Sequence, residues 1–131
     1  MNSQITPPPT YALFYGSLRA KPEGAKQFYN FGRFGKGTQV YINTLTLEGY
    51  ELYDLGPYPA VCEGEGSIVV ELHRVDSLAF SLIGRMEKGA GYFEKKVKVD
   101  DAEASIYLML KEDLIYGGAK RIITGDWADK H

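Results

Sequence analysis

Apolar and polar positions trade places along this chain in short runs that glycines and prolines interrupt. Tyr11-Ala12-Leu13-Phe14-Tyr15, set between a proline tract and Gly16, reads as a buried strand. Residues 38–47 alternate with a change of phase: Val40 and Ile42 share one face, while Leu45 and Leu47 fall on the other. That shift predicts a bulge or sharp bend. Residues 50–53 read as a further short strand, and Pro57-Tyr58-Pro59 as a turn, since each proline restrains itself and its predecessor. In 67–75 the alternation is cleanest, with Ile68, Val70 and Leu72 on one side and Glu71 and His73 on the other. Asp76 or Ser77 then offers a cap for a helix whose apolar stripe is Leu78, Leu82, Ile83 and Met86, and which Gly89 and Gly91 stop. Phe93, Lys95, Val97 and Val99 mark another strand. Ala104, Ile106, Leu108 and Leu110 mark the next, with Tyr107 and Met109 opposite, and Asp100-Asp101-Ala102-Glu103 connects the two as a hairpin. Residues 23–28 leave room for one or two helical turns, and Gly32, Gly35 and Gly37 exclude anything longer. The pattern predicts an α+β fold: a small mixed sheet of about six or seven strands, curled toward a barrel, with one main helix and short flanking helices.

Length narrows this to one domain over 11–131, behind a flexible proline-containing leader at 1–10, because 131 residues suffice for a single core. A 44% hydrophobic and 24% charged composition is that of an ordinary globular chain. The net charge of -2 argues against nucleic acid as a partner, which calls for a clustered basic face. No apolar run approaches a membrane span, and the first residues lack the basic start and apolar segment of a secretory signal. The one cysteine, Cys62, excludes an intrachain disulfide and suits the cytoplasm.

Most catalytic patterns are absent. His73 and His131 are far apart and Cys62 has no companion at ligand spacing, so no metal site is expected. Gly16-Ser17-Leu18 lacks the second glycine of a nucleophile elbow, and the glycines of 32–37 do not match a phosphate-binding loop with its lysine and serine or threonine. Cys62 reads as a small buried residue rather than a nucleophile. Two features keep two readings each. Tyr15-Gly16-Ser17-Leu18 is either a plain strand-ending turn or a set of outward amides able to hold a carboxylate or oxyanion. Glu87 is either a solvated helix end or an inward carboxyl whose pKa desolvation would lift toward neutrality.

Taken in order, these segments resemble one family. Tyr15-Gly16-Ser17-Leu18-Arg19 resembles the first signature of the γ-glutamylcyclotransferase and AIG2-like superfamily. Gly49-Tyr50-Glu51-Leu52-Tyr53-Asp54-Leu55-Gly56-Pro57-Tyr58-Pro59-Ala60 and Glu71-Leu72-His73-Arg74-Val75-Asp76 are similar to its next two segments. Glu87 falls at the place of the family's catalytic glutamate, and Tyr92, Ala104-Ser105-Ile106-Tyr107 and Gly125-Asp126-Trp127 follow in register. Three positions depart from the pattern: Gly84 where an aspartate is common, Lys88 where glycine usually follows the glutamate, and Glu94 in place of a basic residue.

The resemblance implies a γ-glutamylcyclotransferase-like fold and release of 5-oxoproline from a γ-glutamyl amine or γ-glutamyl amino acid, without cofactor. Under it Glu87 is the general base, the Gly16, Ser17 and Leu18 amides grip the glutamyl group, and Tyr15, Tyr58, Tyr92 and Tyr107 wall the pocket. Tyrosines packing a barrel interior would look the same. A non-catalytic module of this fold that sequesters a small anionic or amino-acid-like ligand is the other expectation, motivated by Gly84, Lys88 and Glu94. The expected partner is a small molecule, and the chain fits a monomer or a homodimer.

Overall fold

A computed structural model of the protein describes residues 10–16, 18–19 and 38–130. The leader to residue 9, Ser17, the helical turns expected at 23–28, the glycines of 32–37 and His131 lie outside the described residues. Six strands form one sheet: β1 (Thr10–Phe14), β2 (Gln39–Asp54), β3 (Pro59–Val75), β4 (Phe93–Val99), β5 (Ala102–Leu108) and β6 (Lys120–Ile122). Helix α1 (Ser77–Gly89) follows β3, helix α2 (Lys111–Tyr116) follows β5, and a 3-10 helix (Trp127–Lys130) closes the chain. The strand order is β4-β5-β1-β3-β2-β6, with β1 and β5 parallel and every other pair antiparallel. The mixed sheet curls into a half-barrel.

Its spine is the long β2–β3 hairpin. Two register irregularities, between Tyr41 and Asn43 and between Glu48 and Tyr50, bend it. The first is the phase change visible in the sequence. Residues 50–53, expected as a separate strand, therefore continue β2 beyond the second bulge, where Gly49 takes a positive φ of 92°. Strand β3 likewise begins at Pro59, eight residues before its alternation becomes clean. Thr10, counted with the leader, opens β1 opposite Val75. Asp100 and Asp101, both at positive φ, make the tight turn between β4 and β5.

The two faces of the curl are packed differently. Leu13, Leu52, Val61, Ile68, Val70, Leu72, Ile106, Leu108 and Trp127 fill the concave interior. On the other face, Ala12, Phe14, Val75 and Tyr107 meet α1 through Ala79 and Ile83. The Asp76 carboxylate caps that helix, accepting from the Leu78 and Ala79 amides at 2.8 and 3.2 Å. The expected stripe needs correction here. Leu78 is 69% exposed and Leu82 is also exposed, while Ala79, Ile83 and Gly84 are the buried positions. Small residues at 79 and 84 let the helix lie close to the sheet, which turns its leucines outward. Leu110 ends outside β5, as the cap residue of α2, a helix the alternation did not disclose.

Candidate active site

The site forms where β1 leaves the sheet beneath the C-terminal half of α1. After Phe14 the chain passes Tyr15 and Gly16 and turns, with the Arg19 amide donating to the Gly16 carbonyl at 3.1 Å. A side chain at residue 16 is excluded: its Cβ would lie 2.6 Å from Pro59 Cγ. The turn is pinned from behind. Arg19 is buried and donates to Glu71 Oε2 at 3.1 Å and to Asp126 Oδ1 at 2.7 Å. Glu71 Oε1 also meets His73 Nε2 at 3.0 Å, and Gln39 Nε2 donates to the Leu18 carbonyl at 2.7 Å. Glu71 and His73, placed by their alternation opposite the apolar face, thus serve as a buried polar anchor for the loop.

A cavity of about 230 Å³ opens between this loop, α1 and the β2–β3 turn. Tyr15, Gly16, Leu18, Tyr58, Glu87, Tyr92 and Tyr107, all singled out in the sequence, line it together. Ser17, singled out with them, lies outside the described residues. Phe14, Leu55, Pro59, Met86 and Met109 complete an apolar wall that the sequence did not assign to a site. Met86 and Met109 carried a signal, being apolar neighbours of the glutamate and of the last tyrosine. Tyr58 stands at the mouth, 57% exposed.

Glu87 sits in the last turn of α1, half-buried, with no lysine or arginine among the described residues that line the cavity. Burial withdraws its carboxylate from water and raises its pKa to about 7. Burial, with the neighbouring Glu87 charge, also raises the phenols of Tyr15 and Tyr92 above their usual value, so both remain protonated at neutral pH. Each has committed that proton to the main chain: Tyr15 donates to the Tyr107 carbonyl and Tyr92 to the Pro59 carbonyl, both at 2.6 Å. Cys62 is buried away from the cavity, and burial pushes its thiol up, as an inert core residue requires. Among the described residues no group of histidine, cysteine and carboxylate side chains could hold a metal ion, and no helix is long and apolar enough to cross a membrane.

A half-barrel of mixed sheet with a desolvated carboxyl in a cavity beside a strand-exit loop defines the class of fold. Within it the chain belongs to the gamma-glutamyl cyclotransferase, AIG2-like family, whose pattern it matches over residues 12–129. It is 26% identical over 117 residues to the gamma-glutamylcyclotransferase family protein YtfP of Escherichia coli K12, spanning 88% of this chain and 94% of that one. The fold is similar to an uncharacterized Pyrococcus horikoshii protein in crystal structure (TM-score 0.68, 26% identity, 90% and 89% of the two chains). It is equally similar to the solution structure of E. coli YtfP (TM-score 0.68, 23% identity, 92% and 98%).

Proposed function

We propose that this chain is a γ-glutamyl cyclotransferase, releasing 5-oxoproline and a free amine from a γ-glutamyl amine or γ-glutamyl amino acid. The observation that carries the reading is Glu87: a carboxyl lifted to about 7 by burial inside a cavity, on a chain of this family. A general base is most useful when its pKa lies near the working pH.

The nucleophile is the substrate's own α-amine, so no serine or cysteine is needed. Glu87 takes a proton from the α-ammonium, and the freed nitrogen attacks the γ-carbonyl carbon to close a five-membered ring. As the carbon–nitrogen bond to the leaving amine breaks, the proton held by Glu87 passes to that amine, and the second proton left on the ring nitrogen by its attack follows through the same carboxylate, so that 5-oxoproline keeps one N–H and the amine departs as an ammonium. Protons and charge balance without water or cofactor. The larger part of the task is to fold the glutamyl chain onto itself in a confined space. At about 230 Å³ the cavity is smaller than the roughly 300–1,000 Å³ typical of drug-sized ligands, which suits a glutamyl head with its amine projecting outward. A lone buried cysteine accords with a reducing cytoplasm.

The test is incubation with a panel of γ-glutamyl amines and γ-glutamyl amino acids, read out as 5-oxoproline, for the wild type and Glu87→Gln. Turnover by the wild type and its loss in the folded variant is the expected result. Binding without turnover would replace the enzyme by a sequestering pocket, and undiminished turnover in Glu87→Gln would remove the mechanism.

A further inference from the structure

Helix α1 ends just past the proposed base, and the manner of its ending fixes a neighbour in place. Gly91 takes a positive φ of 99°, a conformation that a side chain would resist, and the chain reverses there. The Tyr92 amide then donates to the Glu87 carbonyl at 3.0 Å, and the Gly91 amide to the Lys88 carbonyl at 3.1 Å. These two bonds make the Schellman ending of a helix, in which the residue after the left-handed glycine caps a carbonyl of the last turn. Tyr92 is therefore tied to Glu87 by the main chain.

The side chain of Tyr92 makes a second tie. Its phenol crosses to the start of β3 and donates to the Pro59 carbonyl at 2.6 Å. The Pro59 ring in turn sits over Gly16, where an added Cβ would lie 2.6 Å from its Cγ. A continuous line of contacts runs from the Glu87 backbone through Tyr92 and Pro59 to the loop that leaves β1. All four residues line the one cavity. The phenol serves Pro59 and not the base. A donor on the Glu87 carboxylate would favour its charged form, whereas burial acts on it and raises its pKa to about 7. Among the described lining residues, the other titratable groups are phenols: Tyr15 at the exit of β1, Tyr58 between β2 and β3, Tyr107 on β5, and Tyr92 itself. Lys88, beside the base on α1, is exposed and approaches Glu94 of β4 at 3.8 Å.

We propose that Tyr92 is a positioning residue, whose amide and phenol together hold the base at a set distance from the Gly16 loop and shut water out between them. This rests on the cyclotransferase reading. Ring closure needs the base and the loop beside the glutamyl group in fixed register, and a misplacement of about 1 Å can cost about 100-fold in rate. The two lie on different elements, α1 and the exit of β1. Tyr92 bonds the first and, through Pro59, braces the second. Without the phenol, Pro59 parts from the helix end and water reaches the carboxylate.

The experiment compares the wild type with Tyr92→Phe, which keeps the ring and removes the latch, and with Tyr53→Phe. Tyr53 does not line the cavity and donates to Glu51 Oε1 at 3.0 Å, so its variant loses a phenol hydrogen bond away from the base. The readouts are the Glu87 carboxyl titration, followed by carbon-detected NMR, and turnover of the γ-glutamyl substrate on which the wild type is active. In Tyr92→Phe the Glu87 midpoint should fall by about one pH unit or more as the carboxylate is hydrated. Its kcat should fall by about tenfold, with KM within about threefold. Tyr53→Phe should leave the midpoint and kcat at their wild-type values. Gly16→Ala presses on Pro59 from the other side, so combining it with Tyr92→Phe should lower kcat by less than the product of the two losses. An unmoved midpoint or an unchanged kcat in Tyr92→Phe, equal effects in Tyr53→Phe, or multiplicative losses in the double variant would each overturn the inference while leaving the cyclotransferase reading intact. If the wild type turns over no panel member, that reading falls, and the NMR midpoint still decides whether the latch keeps the carboxyl dry.

Discussion

Replacing Glu87 by glutamine tests desolvation separately from catalysis, because burying a carboxyl leaves a signature in stability. The Glu87 pKa rises from 4.5 to about 7 on folding, which corresponds to about 3 kcal/mol at 1.36 kcal/mol per pH unit. The direction follows from proton counts. Below pH 4.5 the carboxyl is protonated in both states and contributes no difference. Between pH 4.5 and 7 the unfolded chain loses the proton that the folded chain keeps, so stability falls as pH rises, and it levels off above 7. Glutamine has nothing to ionise. The stability of Glu87→Gln relative to wild type should therefore grow by up to about 3 kcal/mol between pH 4 and pH 8.5, or about 10 °C in melting temperature for a chain of this length. Urea titrations of both proteins at the two pH values measure this double difference, in which every other titrating group cancels. A glutamine variant whose relative stability is the same at both pH values would refute the reasoning, since Glu87 would then be fully hydrated in the folded state.

The same ionisation predicts an acid limb in kcat/KM near pH 7, with the rate falling about tenfold per pH unit below it; a limb near pH 4.5 would contradict a desolvated base. Gly16→Ala drives a Cβ into the rigid Pro59 ring, so displacement of the loop should cost about 1–3 kcal/mol and more than tenfold in 5-oxoproline release, both measurable on one preparation. Glu71→Gln weakens the buried partner of Arg19 and should destabilise by about 3–5 kcal/mol in chemical denaturation, far beyond a surface substitution.

What the sequence disclosed depended on whether a local pattern carried the tertiary answer. Strand β1 was legible as a short apolar run between a proline tract and a glycine, and β4 and β5 as alternations joined by a turn. The unity of β2 was not, since a bulge at Gly49 inverts the alternation and imitates a new strand. Helix α1 was legible from its cap and glycine stop, whereas its buried face was misjudged. Leucines outrank alanine and glycine in any apolar count, although close approach to a sheet favours the smaller pair. Helix α2 spans six residues and buries Leu114 alone, too little for a periodic signal. The gathering of Glu87 with Tyr15, Tyr92 and Tyr107 rested on ordered resemblance, because nothing local joins residues 15 and 107. The anchoring of the loop left no pattern, since Arg19, Gln39 and the Glu71–His73 pair come from three separate parts of the chain, and the alternation of β3 disclosed only that the last two share a face.

The three departures around the glutamate gain a common explanation from the packing. Lys88 and Glu94 approach each other at 3.8 Å, and Glu94 is also held by Lys96 at 3.1 Å and by Ser105. Burial pushes the Glu94 carboxyl up, and its partners Ser105, Lys96 and Lys88 more than offset that, holding it below the usual carboxylate range. An acid at residue 94 is thus matched by bases at 88 and 96, and its charge is spent outside the cavity rather than on Glu87. Gly84 lies on the inner side, where a Cβ would come 3.1 Å from the buried Tyr107 hydroxyl oxygen: glycine lets the helix pass close over that ring, and an aspartate there would bring a second charge into the packed layer. The changes therefore leave Glu87 as the one carboxyl among the described residues that line the cavity, which is what the proposed cyclisation asks of a single base.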